Sequence, residues 1–290
     1  MTSIQRLGVL AHPLRPETAP IAEKIAETFQ TNGLEVWVHK QWTETELHTS
    51  INGTDMIIAI GGDGAMLRAA RCSAPFAVPV LGVNMGYLGF LTEIRDPNDC
   101  LKELDRILAG DYWVERRMML EVTAYHDDQP TQTSSALNDV VISRGPGAHV
   151  IQLATYIDGV WTTTYNADGL VIATATGSTA YALAAGGPIL PPELHNMVVV
   201  PVAPHLTLDR PIVLPDGATI DVVVTRDRGT ESTVSADGIS LCTMCEGDRI
   251  SVRSSDHVSQ FVRLRDRNYF YRSLLDRLEP RVAPPNRHDS

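Results

Sequence analysis

The residues best suited to chemistry are three glycines and one acid in four consecutive positions, Gly61, Gly62, Asp63 and Gly64. They follow the apolar run of residues 56–60, which predicts a buried parallel strand, and they precede a stretch of good helix formers. Glycines lack Cβ atoms and let a polyanion approach the backbone, and helix N-termini bind phosphate. The segment therefore indicates a phosphate site beside a carboxylate. The simpler alternative is a tight turn in which Asp63 only caps the helix.

A second polar segment follows another apolar run, residues 170–173. It consists of small and hydroxyl-bearing residues and ends in an aromatic side chain: Thr176, Gly177, Ser178, Thr179, Ala180 and Tyr181. Hydroxyls and free amides can hydrogen-bond phosphate or ribose, and a Tyr ring can lie against a base or a sugar. Such clusters are also common in ordinary loops, so this run alone does not decide between the two interpretations.

Other polar residues mark possible binding positions but also have plain structural interpretations. Asn138 and Asp139 stand side by side at the start of a predicted strand. Because consecutive strand residues point to opposite faces, both can reach one ligand only if the backbone bends there. Asp168, followed by a glycine, is typical of a turn. His205 could contact a phosphate together with Arg210, although loop histidines are usually structural.

The elements that must position these residues are of two kinds. Up to about residue 110, predicted strands and helices alternate, which is typical of a doubly wound, Rossmann-like parallel sheet. Thr43 and Glu46 predict a capping box, and one helix is predicted from Asp96-Pro97 to Gly110. Beyond residue 112, strand-like runs separated by Asp-Gly turns predict a β-rich, sandwich-like region.

We therefore expect a two-domain chain of the α/β plus mainly-β class. The predicted segments are an α/β domain over residues 1–112 with the glycine-rich site, a β-rich domain over residues 113–264, a C-terminal helix within residues 265–280 that packs on the first domain, and a flexible tail over residues 281–290. The tail has two adjacent prolines and charged neighbours, which favour disorder.

Composition narrows the class of protein. The chain has 290 residues, 43% of them hydrophobic, which is enough for a substantial core. Its net charge of −11 argues against a broad nucleic-acid or membrane surface, since both need clustered Lys and Arg. No long apolar run or secretory signal pattern is present, so we expect a cytoplasmic location. The histidines and the lone Cys242-x-x-Cys245 pattern predict no metal site, and the two thiols are expected in a strand.

Taken in order, these motifs resemble those of the NAD kinases. The Gly-Gly-Asp-Gly segment, residues 84–90, the Asn-Asp pair, Asp168-Gly169 and the Thr-Gly-Ser-Thr-Ala-Tyr loop follow one another with that family's order and spacing. Residues 186–189 and 204–211 also fit. The first motif is shared with phosphofructokinases and with diacylglycerol and sphingosine kinases, whereas the last loop joined to an upstream Asn-acid pair is far more specific.

The resemblance implies an NAD-binding β-rich domain and assembly as a homodimer or homotetramer. It implies transfer of the γ-phosphoryl group of ATP to the 2′-hydroxyl of the adenosine ribose of NAD, giving NADP, with Mg²⁺ or another divalent metal bound with ATP. Some members also use inorganic polyphosphate as the donor. A different Gly-Gly-Asp-Gly kinase, acting on a lipid or a sugar, and a non-catalytic dinucleotide sensor are the alternatives.

By matching motif positions, the resemblance implies that Asp63 is the catalytic proton acceptor. The other implied site residues are Gly61 and Gly62 beside the donor phosphates, Gly64 and Arg68 along the NAD site, Asn138 and Asp139 at the adenosine, Asp168 near the nicotinamide end, and Thr176, Gly177, Ser178, Thr179, Ala180 and Tyr181 along the dinucleotide. Two positions depart from the family pattern: Asp139 replaces a frequent Glu, and Ala175 replaces a frequent Pro.

Overall fold

The structure is a computed structural model that describes residues 4–85, 89–145, 149–226 and 232–278. Its first part alternates strands and helices: β1 (Arg6–Leu10), α1 (Ala19–Thr31), β2 (Glu35–His39), α2 (Glu44–Ile51), β3 (Met56–Gly61), α3 (Asp63–Ser73), β4 (Val80–Asn84), α4 (Pro97–Lys102) and α5 (Leu104–Ala109). Residues 86–88 of the predicted glycine-punctuated segment lie outside the described residues.

The first four strands form a parallel sheet in the order β2-β1-β3-β4. Strand β3 is fully buried, as its unbroken apolar run predicts, because helices cover both faces of the sheet. Helices α2 and α3 bury apolar side chains such as Leu47 and Met66 on one face, and α1, α4 and α5 bury Phe29, Cys100 and Ile107 on the other. The prediction of a doubly wound α/β domain is confirmed.

Most helix boundaries follow their sequence signals, with one difference. Thr43 and Glu46 form the predicted capping box at the start of α2. The single helix predicted up to Gly110 is instead two short helices, so that prediction is wrong in its middle. The backbone at Glu103 has φ −87° and ψ 2°, outside the α-helical region, which separates α4 from α5. Gly110, with φ 71°, ends α5 in the left-handed conformation.

The remainder of the chain is rich in strands: β5 (Trp113–His126), β6 (Gln129–Ala136), β7 (Asp139–Arg144), β8 (Ile151–Ile157), β9 (Val160–Ala167), β10 (Gly169–Thr174), α6 (Tyr181–Ala184), β11 (Asn196–Val202), β12 (Ile212–Pro215), β13 (Thr219–Arg226), β14 (Ser232–Ala236), β15 (Ile239–Met244), β16 (Arg249–Arg263) and α7 (Tyr269–Leu278). One antiparallel sheet has the order β12-β11-β10-β7-β14-β15, and the strands β5, β6, β8, β9, β13 and β16 form a second layer.

The two layers enclose the largest hydrophobic core, which includes Leu153, Tyr165, Ile172, Val199 and Val252. This arrangement confirms the β-rich, sandwich-like region. The second layer also continues into the parallel sheet, because β16 lies parallel to β4 where Phe261 pairs with Val80. The two domains therefore share one sheet of ten strands.

The C-terminal segment crosses the junction between the two domains. The Arg265 guanidinium contacts the Glu93 carboxylate in the loop after β4, and the Trp113 ring N–H donates to the Arg265 carbonyl over 2.7 Å. Helix α7 begins at Tyr269, whose hydroxyl lies 3.0 Å from the Glu115 carboxylate of β5. The predicted tail lies outside the described residues. In the part of the chain that the structure describes, no helix is long and apolar enough to cross a membrane.

Candidate active site

Asp63 lies where β3 ends and α3 begins. Gly62 occupies the N-cap position and Asp63 is the first helical residue, so Asp63 is not the N-cap residue of the simpler interpretation. Its Oδ2 instead accepts the backbone N–H of Phe90 at 2.7 Å, and its Oδ1 accepts that of Leu91 at 3.0 Å. A Cβ atom added to Gly89 would lie 1.8 Å from Oδ1. The loop can therefore close on this carboxylate only because residue 89 is a glycine.

A histidine and two arginines lie near the glycine-rich turn. His12, which follows β1, lies so close that a Cβ on Gly61 would be 3.0 Å from its ring. Burial lowers the pKa of His12, and the nearby Arg15 and Arg68 guanidinium groups lower it further. The Arg68 guanidinium also lies 4.5 Å from the centre of the Trp42 ring. These charges and the N-terminus of α3 make the edge of the sheet attractive to an anion.

The hydroxyl-rich loop follows β10, and the hydroxyl groups of Thr176 and Ser178 form hydrogen bonds to other protein groups. Thr176 Oγ1 accepts a hydrogen bond of 3.0 Å from Arg117. Ser178 Oγ donates to the Ala175 carbonyl at 2.7 Å and accepts the Leu190 N–H at 2.9 Å. Both side chains are buried. The predicted residues of this loop that remain accessible are Thr179, Ala180 and Tyr181.

Asn138 and Asp139 lie directly beside that loop, at a bend before β7. The Asn138 carbonyl accepts the Thr174 N–H at 2.9 Å, and a Cβ on Gly177 would lie 2.0 Å from the same oxygen. The Asp237 carboxylate accepts the backbone N–H groups of both Asn138 and Asp139. Burial raises the pKa of Asp139 to about 7, and the nearby Asp237 carboxylate also raises it.

Hydrophobic packing brings this bend close to the helix that begins at Asp63. Leu137, which precedes the bend, belongs to the same buried cluster as Met66 and Ala70 of α3. The glycine-rich turn leads directly into α3, and α3 packs in the same cluster as the segment that enters the bend. Asp63 and Asn138 nevertheless lie 75 positions apart in the sequence. The structure thus places α3, the helix that begins at Asp63, in one hydrophobic cluster with the residue that precedes the Asn-Asp pair.

A buried network of charges connects the loop that holds Asp63 to the hydroxyl-rich loop. Arg263 donates to the Leu91 carbonyl at 2.9 Å and to the Glu115 carboxylate at 2.7 Å. Arg117 donates to the same carboxylate at 2.8 Å and to Thr176 at 3.0 Å. Burial alone would raise the pKa of Glu115, but Arg263 and Arg117 hold that pKa below its ordinary value. The two halves of the site are therefore joined by ion pairs.

Comparison with known protein families identifies the family of this chain. The family model of the ATP-NAD kinase N-terminal domain matches residues 7–112, and that of the ATP-NAD kinase C-terminal domain matches residues 137–264. The chain belongs to the NAD kinase family.

Individual relatives agree with this assignment. The NAD kinase of Dehalococcoides mccartyi is 37% identical over 276 residues, covering 95% of this chain and 96% of the relative. That of Pseudomonas fluorescens is 40% identical over 250 residues, with 86% and 81% covered. Two solved structures have the same fold: yeast NADH kinase complexed with NADH (TM-score 0.85, 23% identity, 98% and 90% covered) and an NAD kinase from Archaeoglobus fulgidus in complex with ATP (TM-score 0.74, 27% identity, 93% and 97% covered).

In this NAD kinase family member, Asp168 does not lie beside the other predicted site residues. It precedes β10, where its carboxylate pairs with Arg144 at 2.9 Å. In the register of β7 and β10, Asp139 lies opposite Ala173 at one end, and Ser143 lies opposite Gly169 at the other. Four to five strand steps therefore separate Asp168 from the bend, roughly 13–17 Å. A contact between Asp168 and the ligand stays a prediction.

Several residues of the site did not stand out in the sequence. Arg117 and Asp237 reach it only through tertiary contacts, and Gly89 was predicted only as part of a glycine-punctuated segment. Asp237 has the same Asp-Gly turn signal as Asp158, which lies in a different turn of the chain. The two differ in the backbone N–H groups that the Asp237 carboxylate accepts, and no local sequence pattern predicts those hydrogen bonds.

Within the described ranges, no group of three or more His, Cys, Asp or Glu side chains is placed to hold a metal ion. Asp63 is a single carboxylate beside a glycine-rich, cationic turn. This donor set fits a divalent cation that is held mainly by nucleotide phosphates and water, with one protein carboxylate, as is usual for Mg²⁺. The Cys242 thiol lies half-buried in β15, while Cys245 follows the strand and is exposed, so only one of the two thiols lies in the strand.

Proposed function

We propose that this protein transfers the γ-phosphoryl group of ATP to the 2′-hydroxyl of the adenosine ribose of NAD, forming NADP and ADP. The observation that carries the proposal is the Asp63 carboxylate, fixed by two backbone N–H groups at a glycine-rich helix N-terminus and joined through α3 to the Asn138-Asp139 bend. Membership of the NAD kinase family supports the choice of acceptor and donor.

In the proposed reaction, a bond forms between the ribose 2′-oxygen and the γ-phosphorus, and the bond from that phosphorus to the β–γ bridging oxygen breaks. Asp63 orients the hydroxyl and accepts its proton, while ADP departs with the electron pair of the broken bond. The carboxylate can accept at the lone pairs that Phe90 and Leu91 leave open. Phosphoryl transfer depends mainly on positioning and charge, which suits a single well-held acid.

The donor phosphates would lie on the turn of Gly61 and Gly62, where the nearby Arg15 guanidinium supplies positive charge, while Gly64 and Arg68 would lie along the NAD site. A bound Mg²⁺ or other divalent metal would supply further charge neutralisation for the triphosphate, with Asp63 as the protein carboxylate within reach of that position. Inorganic polyphosphate, a chain of the same phosphate groups, meets the same recognition chemistry. The turn therefore does not select between the two donors.

The acceptor would lie along the second domain. The adenosine would contact Asn138 and Asp139, and the accessible part of the loop, Thr179 to Tyr181, would contact the dinucleotide. An extended dinucleotide is long enough to approach Asp168 from this position, which is the proposed nicotinamide end. We include a cytoplasmic location and assembly as a homodimer or homotetramer in the proposal, on the strength of the family resemblance.

The test is an assay of purified protein with ATP, Mg²⁺ and NAD, read as formation of NADP. We expect NADP to form from ATP and NAD. A panel with polyphosphate as an alternative donor, and with NADH, diacylglycerol and sugars as alternative acceptors, then defines the substrates. Omission of the divalent metal should abolish the reaction. If no NADP forms at saturating substrates while a lipid or a sugar is phosphorylated, the protein is a different kinase. NAD binding without any phosphoryl transfer would favour the sensor.

A further inference from the structure

Asp237 clamps the bend that carries Asn138 and Asp139. It lies in the turn between β14 and β15, with φ 49°. Its carboxylate accepts the N–H groups of Leu137 and Asn138, both at 2.8 Å, and that of Asp139 at 3.3 Å. In return, its own N–H donates to the Asp139 carbonyl at 3.0 Å. Three consecutive backbone N–H groups thus converge on one side chain from a remote hairpin.

This convergence is more than an Asp-Gly turn requires. Asp158 lies in a turn of the same type, with φ 51°, and its carboxylate accepts a single N–H, that of Thr219. On the opposite side of the bend, Thr174 donates its hydroxyl to the Leu137 carbonyl and its N–H to the Asn138 carbonyl. The bend is therefore held from two strands, and Asp237 supplies one complete side of it.

The clamp also places a second carboxylate beside Asp139. Asp139 is buried and Asp237 is half-buried, and Asp237 is the charged group that acts on Asp139. Burial raises the pKa of Asp237 as well, but the three N–H groups and Arg71 of α3 oppose that increase. Arg71 is itself paired with Glu44 of α2. The two carboxylates therefore have unequal support, and Asp139 is the member of the pair that gains the proton first.

We propose that Asp237 is a positioning residue for the acceptor site, which holds the Asn138-Asp139 bend in shape and whose negative charge adds to the effect of burial in making acceptor binding at Asp139 depend on pH. This inference rests on the proposed function, because it takes the bend to be where the adenosine of NAD binds. Ionised Asp139 accepts hydrogen bonds from hydroxyl or amino groups of the adenosine, and protonated Asp139 accepts fewer. NAD affinity should therefore rise with pH until Asp139 is ionised.

The test is direct titration of NAD into the purified protein between about pH 5.5 and pH 8.5, without ATP. For the wild type, we expect affinity to rise about tenfold between pH 6 and pH 8, as a single proton with a pKa of about 7 requires. For Asp237→Asn, we expect weaker binding at pH 8, because the clamp has lost an acceptor. We also expect its pH dependence to move to lower pH, so that the affinities at pH 6 and pH 8 differ less than in the wild type, because the repelling charge is gone while Asp139 stays buried.

Three further measurements distinguish the proposed role of Asp237 from a general structural role and from failure of the proposed function. Asp158→Asn, the matched Asp-Gly turn, should reproduce the wild-type affinities at both pH values. Asp139→Asn removes the titrating group and should abolish the pH dependence, even if Asp237→Asn does not fold. An assay of the wild type for NADP formation separates the two proposals, since active protein with a pH-independent NAD affinity would overturn this inference alone. A uniform loss of affinity in Asp237→Asn, with the wild-type pH dependence retained, would make the residue merely structural and would also overturn it.

Discussion

At the scale of single residues, three acidic side chains in this molecule differ mainly in the backbone groups that they bind. Asp63 accepts two N–H groups from one loop and Asp237 accepts three from another, whereas Asp139 is buried beside a second carboxylate. The sequence predicted Asp63 and Asp139 as site residues from motif position. It could not predict Asp237, because the geometry that distinguishes it depends on contacts between residues about 100 positions apart.

The raised pKa of Asp139 makes a prediction about stability. An acid with a raised folded-state pKa is protonated in the folded protein but not in the unfolded chain between about pH 4 and pH 7, so stability falls as pH rises through that window. Asp139→Asn removes this effect. The free energy of unfolding of the variant minus that of the wild type should therefore be about 2 kcal/mol higher at pH 8 than at pH 5.5, so the variant is relatively more stable at pH 8. Urea unfolding at both values measures the difference, and an equal offset at both would contradict the assignment.

At the scale of elements, the site depends on how loops are attached to the strands and helices that carry them. The capping box of α2 and the buried strand β3 formed where local signals predicted them, because both depend on neighbouring residues. The break at Glu103 and the closure of the loop over Asp63 were not predictable, because each depends on the packing of distant parts. The ion pairs among Glu115, Arg117 and Arg263 belong to this second class.

The ion pairs lead to a prediction with a control in the same strand. Arg117 is 3% exposed and holds both Glu115 and Thr176, whereas its neighbour Arg116 points to solvent. Arg117→Met leaves Glu115 with less compensation and should reduce the free energy of unfolding by about 3–5 kcal/mol. Arg116→Met should change it by no more than about 0.5 kcal/mol. Chemical unfolding of both variants gives the comparison, and equal effects would show that the network does not stabilise the fold.

At the scale of the whole molecule, the chain has an α/β part followed by a β-rich part, and a single sheet runs through both. Alternating elements predicted the parallel sheet, and Asp-Gly turns predicted the antiparallel region, since each is a local pattern. The pairing of β16 with β4 joins residues about 180 positions apart, Val80 and Phe261, and leaves no local signal. The consequence is that the proposed proton acceptor, Asp63, lies on the first domain, while the residues proposed to bind NAD lie on the second.

This division between the domains has a direct consequence for Asp63→Asn. The substitution removes the proposed proton acceptor from the first domain and leaves Asn138, Asp139 and the hydroxyl-rich loop in place. NAD binding should therefore survive, while phosphoryl transfer is lost. Asp55→Asn is the matched control, because Asp55 also accepts two backbone N–H groups, both at 2.8 Å, but lies at the opposite end of β3.

The most direct measurement is NADP formation by Asp63→Asn and Asp55→Asn under saturating ATP, Mg²⁺ and NAD, combined with calorimetric titration of NAD into each. We expect Asp63→Asn to bind NAD within a few-fold of the wild type and to lose turnover by at least about 10²–10⁴-fold, as the removal of a general base requires. Asp55→Asn should retain both. Near-normal turnover in Asp63→Asn would contradict the role assigned to this carboxylate.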